Sequence, residues 1–188
     1  MRQWLVPARR EGAGGVRRHR IALGRGGGRE PAVSDAGWRI APADLGDPQV
    51  IALLDLHLRS AHANSPPGSV FALDLSGLRD PTVAVWAAWE DATLLGLGAI
   101  KRLGDGHAEL KSMRTAPDHL RRGVGAAMLD HLIAEARGSG ITRLSLETGS
   151  HPAFAPAHAL YARAGFVACP PFGRYEDTVF ARYLTREI

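Results

Sequence analysis

Cysteine is almost missing from this chain. Cys169 stands alone among 188 residues, so an intramolecular disulfide framework is excluded and a reducing cytosol suits the protein. No apolar run approaches the roughly 20 residues that cross a bilayer. The N-terminal arginines lead into no central apolar segment of the kind a secretory signal needs. A cytoplasmic protein without a membrane partner is therefore expected. Chelating histidine pairs are missing as well. His57 and His62 are five apart, the wrong spacing for one helix face, and His107, His119, His131, His151 and His158 form no better pair. No metal is expected.

Acidic residues are scarce at the start. Residues 1–30 hold eight arginines against Glu11 and Glu30, a net +6, while the rest of the chain holds 15 basic against 17 acidic residues, a net −2. The overall +4 and the pI near 9.8 thus describe the beginning of the chain. Nucleic-acid binding by the body loses its main support. The same stretch contains seven glycines and little apolar periodicity. Residues 1–32 are expected to be a disordered Arg/Gly-rich extension, followed by one domain over residues 33–188.

What remains alternates between strand and helix signals. "GWRIAP" (37–42) reads as a strand. Residues 47–62 read as a helix, with Asp47 as cap, Pro48 at the first helical position and Val50, Leu53, Leu54 and Leu58 at helical spacing. "NSPPGS" (64–69) is a loop, and a short helix or turn is expected within 70–79. Residues 82–90 and 92–103 form a hairpin about Glu90-Asp91, and "GDG" (104–106) turns the chain into a fourth strand at 107–115. A helix over 124–137, a fifth strand over 141–148, a helix over 156–165 and closing strands at "FVAC" and 177–184 follow. This order indicates an α/β or α+β fold with a mixed sheet.

One turn stands out. "LRRGVGAAML" (120–129) places a Gly-x-Gly pair among arginines where a helix begins. Amides at a helix start point outward without intrahelical partners, and the helix dipole adds positive potential, so the turn is built to hold an anion. It is not a phosphate-binding P-loop, because neither Lys nor Ser/Thr follows Gly125. A dinucleotide fingerprint would use Gly123 and Gly125, with Glu147 on a ribose, but Met128 occupies the third glycine position.

The third design starts with a strand, "ELKSMRTAP", continues through "DHL", and ends in "RRGVGAAML". It resembles the GNAT superfamily of acyl-CoA-dependent N-acyltransferases. The signature Gln/Arg-x-x-Gly-x-Gly/Ala falls on Leu120, Arg121, Arg122, Gly123, Val124 and Gly125, with Leu120 departing at the first position. "AHALYARAGF" (157–166) resembles the family's later segment, at Ala157, Leu160, Tyr161, Arg163, Gly165 and Phe166. Phe154 stands where an asparagine is common. The resemblance spans roughly residues 37–184. It implies a mixed, mostly antiparallel central sheet of about six to seven strands flanked by helices, splayed between strands 4 and 5.

It also implies a chemistry. Arg121, Arg122, Gly123, Val124, Gly125 and Ala126 would hold the pyrophosphate of acetyl-CoA, while the main chain of Met113, Arg114 and Thr115 would pair with the pantetheine arm. Acyl transfer needs a neutral amine, and an alkyl ammonium near pKa 10.4 costs roughly 4–5 kcal/mol to deprotonate at pH 7. Glu109 is the expected base, although Lys111 on the same strand face offers it an ion-pair partner. Tyr161 would position the thioester sulfur and protonate it. His62, Ser65 and Arg114 are candidate acceptor contacts. Acetyl transfer from acetyl-CoA to a small or amino-acid-like amine, without a covalent enzyme intermediate, is the expected activity. A non-catalytic acyl-CoA sensor and a protein or peptide N-acetyltransferase are the alternatives. Homodimers are common among such proteins, but nothing in this sequence forces one.

Overall fold

The computed structural model describes residues 32–33 and 37–188. The expectation for residues 1–32 falls, Ala32 excepted, outside them. The chain runs β1 (Ala32–Val33), β2 (Arg39–Pro42), α1 (Pro48–Ala63), α2 (Leu75–Leu78), β3 (Val83–Glu90), β4 (Thr93–Gly104), β5 (His107–Thr115), α3 (Val124–Gly138), β6 (Arg143–Gly149), α4 (Ala155–Arg163), β7 (Val167–Ala168) and β8 (Ala181–Glu187). One sheet holds all eight strands in the order β1-β2-β3-β4-β5-β6-β8-β7. Every neighbouring pair is antiparallel except β5 and β6. The fourth and fifth strands of the sequence reading are β5 and β6, since the short β1 precedes them.

Local chemistry explains most boundaries. The Asp47 carboxylate accepts from the N–H groups of Gln49 and Val50, and Pro48 occupies the first turn of α1 where a missing N–H costs nothing. Asp91 takes a left-handed φ of 51° in the β3–β4 turn, and Gly104, Asp105 and Gly106 all have positive φ in the next. The closing strand was expected at 177–184 and lies at 181–187. Val179, inside the expected span, is 99% exposed. Pairing with β6 through Glu187 carries the strand across Thr185, Arg186 and Glu187, whose polarity hid it.

Helices cover both faces of the sheet. On one face α1 and α2 bury Val50, Leu53, Leu54 and Leu78 against Val85, Ala87, Leu97 and Ala99. On the other, α3 inserts Met128, Leu129, Leu132 and Ile133 among Trp86, Leu95, Ile100, Leu110 and Leu146. Each fully buried Leu of this kind contributes roughly 1.5–3 kcal/mol. Two glycines of β4 set how closely α3 approaches. A Cβ on Gly98 would stand 2.7 Å from Met113 Sδ and 2.9 Å from Leu132 Cδ1, and one on Gly96 would stand 3.0 Å from Val124 Cγ1. With those glycines, the start of α3 sits directly over β4 beside β5.

Candidate active site

The parallel pair β5–β6 is zipped at one end only. His107, Ala108 and Glu109 pair with Arg143, Leu144 and Ser145, and no register partner follows. At the point of separation β5 also bulges against β4. Leu97 faces Arg114 and Ala99 faces Lys111, so Gly98 opposes both Ser112 and Met113, and Ser112 adopts a left-handed φ of 52°. The two strands then form the lips of a cleft of about 590 Å³. Leu110 to Thr115 line one lip and Glu147 to Gly149 the other, while α1, the loop at 69–72 and α4 close the sides.

The anion turn lies at the mouth of this cleft. Arg121 (φ 59°) and Gly123 (φ 89°) are both left-handed. That backbone directs successive N–H groups to one side, a nest for an anion. Gly123 is the N-cap of α3 and no side chain caps the helix, so the amides of its first turn keep their donors for a ligand. Gly125 lines the cleft. A Cβ there would lie 3.5 Å from Thr115 Oγ1 and 3.6 Å from Leu160 Cδ2, both also in the cleft wall. The two expected arginines differ from the reading. Arg122 donates to Glu90 at 2.7 Å, meets His119 Nδ1 at 2.9 Å and stacks 5.8 Å from the Trp38 ring centroid. It braces the turn from outside. Arg121 is exposed. The uncapped main-chain amides of this turn suit a pyrophosphate in exposure and polarity.

Two carboxylates flank the point where the strands part. Glu109, in the zipped half, is 4% exposed and absent from the cleft wall. Lys111 Nζ lies 3.1 Å from its Oε1, and Tyr175 donates its hydroxyl to the same oxygen. Lys111 also donates to Phe71 O at 2.9 Å and to the Tyr175 hydroxyl at 2.8 Å. The carboxylate is thus spent on an internal network. Glu147, in the open half, lines the cleft. Burial pushes its pKa up to about 7; Lys111 opposes the shift and Glu109 adds to it. Tyr161 reaches the cleft from α4, with its ring centroid 5.8 Å from that of Phe166, and burial pushes its phenol well above the ordinary value.

The family model described as "Acetyltransferase (GNAT) family" matches residues 50–166. The chain belongs to the GNAT acetyltransferase family. It is similar to the uncharacterised N-acetyltransferase YedL of Escherichia coli (strain K12), 46% identical over 148 residues that make up 79% of this chain and 93% of that protein. It is equally similar to the uncharacterised N-acetyltransferase YsnE of Bacillus subtilis (strain 168), 46% identical over 77% of this chain and 96% of that protein. Among solved structures, a protein assigned as an acyl-CoA N-acyltransferase from Klebsiella pneumoniae superposes with a TM-score of 0.67 at 25% identity, covering 81% of this chain and 99% of the other. This GNAT protein is therefore an acyltransferase that uses an acyl-CoA.

Within this GNAT domain the acceptor candidates separate. Ser65 and Arg114 line the cleft, whereas His62 is exposed and outside it. His57, one helical turn and more before His62, lies in the wall instead. Its pKa is lowered to about 4 by burial, with Arg114 and Lys111 adding to the shift, so it is neutral at pH 7. Phe154, the departure from the family's asparagine, makes an apolar wall with Phe180 at 6.3 Å between ring centroids. Among the described residues no helix is long and apolar enough to cross a membrane, and no cluster of three metal-ligating side chains occurs.

Glu147 is a cleft carboxylate that the sequence does not single out for acyl transfer. In the sequence it stands only as the ribose contact of a dinucleotide fingerprint, a fold the chain does not adopt. A strand glutamate at the same alternation as Ser145 carried one usable signal, namely its position at the C-terminal end of a strand that follows the anion turn.

Proposed function

We propose that the protein, a single domain over residues 33–188, transfers acetyl from acetyl-CoA directly to the amine of a small or amino-acid-like acceptor. The observation that carries this reading is the one-ended opening between β5 and β6. It puts an uncapped helix start at one end of a cleft and a carboxylate of near-neutral pKa inside it. The main-chain amides of Gly123 to Ala126 would hold the pyrophosphate, and the exposed edge of Met113 to Thr115 would flank the pantetheine arm. When bound, acetyl-CoA supplies the activated thioester.

The chain's own residues supply the proton chemistry. Glu147 takes the proton from the acceptor ammonium, and its pKa of about 7 lets it be ionised yet basic enough at neutral pH. The freed amine bonds to the acetyl carbon as the carbon–sulfur bond breaks, its nitrogen sheds a second proton to solvent as the amide forms, and Glu147 then releases to solvent the proton it took. Tyr161 gives its proton to the departing sulfur, then recovers one from solvent. A thiolate leaves readily, since cysteine-like thiols have a pKa near 8.5, so the Tyr161 contribution is small. Glu109 acts at one remove. It holds Lys111, whose charge in turn bears on Glu147. Calorimetry with free CoA tests the donor site, and thiol release from acetyl-CoA over an amine panel tests the transfer. Saturable heat and amine-dependent thiol release are expected. Well-folded protein that gives no heat with CoA would overturn the reading.

A further inference from the structure

The acceptor side of the cleft contains a cation without a counter-charge. Arg114 leaves the open half of β5 and reaches α1, where Nη2 donates to Ser60 Oγ at 3.2 Å. Its Nε is buried and has no hydrogen-bond partner. Among the described residues no Asp or Glu oxygen lies within ion-pair distance of the guanidinium. Buried donors are normally satisfied, and a half-buried guanidinium with a spare donor is a site short of an acceptor.

Resting on the acetyltransferase reading above, we propose that the acceptor is an amine that also bears a carboxylate, and that the Arg114 guanidinium grips that carboxylate. Three further observations fix the ligand's class. The planar fork of Arg114 matches a planar, bidentate oxyanion. Lys111, the second cation in the wall, is already neutralised by Glu109, and His57 beside it is uncharged at pH 7. With Glu147 taken up by the ammonium, Arg114 is the one positive charge in the wall left for the acceptor's anion, which suits a singly charged carboxylate and leaves a phosphate dianion half unpaired. Glu147, on the opposite lip, is free to serve the amine. Burial lowers the Arg114 pKa, as expected of a cation held without a partner. The acceptor is thus read at both ends, its ammonium by Glu147 and its carboxylate by Arg114.

The test is calorimetric titration of the CoA-saturated protein with α-amino acids, each paired with its own primary amide. At least one acid is expected to bind about 10- to 100-fold tighter than its amide, the range for a charge-assisted pair. In Arg114→Gln the acid-to-amide ratio should fall to about one, and Arg114→Lys should recover part of it. The ratio is internal to each variant and so is insensitive to a general loss of affinity. The wild-type comparison needs no variant at all. Amides that bind as well as acids, a preference that survives Arg114→Gln, or no binding by any acid would each overturn the proposal. Absence of heat with CoA itself would instead sink the donor-site reading, and this proposal with it.

Discussion

Glu109 and Glu147 sit on adjacent parallel strands and meet opposite fates. Glu109 belongs to the half of β5–β6 that stays paired, and its carboxylate is closed in by Lys111 and Tyr175. Glu147 belongs to the half that opens, faces the cleft and has no ion-pair partner among the described residues. The residue type is the same, Glu109 is buried and Glu147 half-buried, and strand pairing decides which carboxylate is enclosed by partners and which faces the cleft. A charge enclosed by its partner is chemically quiet, whereas one desolvated without a partner is raised toward neutral pH.

The sharpest way to break this contrast is substitution at each acid. Glu147→Gln should lower kcat by about 10²- to 10⁴-fold, the usual loss on removing a general base. Steady-state thiol release checks it, and full activity would assign the base elsewhere. Glu109→Gln should act on stability first. Removing one partner of a buried pair leaves Lys111 uncompensated, at a cost of roughly 3–5 kcal/mol. Urea denaturation measures this, and an unchanged midpoint would show that the pair is not structural. A smaller effect is expected at the cleft mouth. Gly125→Val fills space between Thr115 and Leu160 and should weaken CoA binding about 10- to 100-fold, as for 1–3 kcal/mol of overpacking. Calorimetry reads that difference. Tyr161→Phe should be mildest, with kcat reduced on the order of tenfold, because the thiolate leaves with little help.

Much of this could be read along the chain because it is local. The ends of β5 follow from the "GDG" turn and the proline after Ala116, and the anion turn follows from Gly123 and Gly125 before an apolar helix. The rest depends on partners distant in sequence. Alternation along "ITRLSLET" places Ser145 and Glu147 on one face, yet only the parting of β5 and β6 after Ser145 decides that one is covered and the other open. Nothing in "LKSMRT" announces that Ser112 will take a left-handed backbone, since glycine is the residue that normally does so. Arg122 looked like a phosphate contact by position, but Glu90, 32 residues earlier, claims its guanidinium. His62 and His57 differ by the phase of α1 against the sheet, which a five-residue spacing does not reveal.

The pH dependence of kcat/KM in wild type and in the two acid variants bears most directly on the division of labour between the halves of β5–β6. The reaction needs Glu147 ionised, so the rate should rise with pH and level off above an inflection near 7. That acid limb should vanish in Glu147→Gln. It should persist in Glu109→Gln, displaced to lower pH because the repulsion that helps to raise the Glu147 pKa is gone. An acid limb that survives in Glu147→Gln and disappears in Glu109→Gln would contradict the assignment outright.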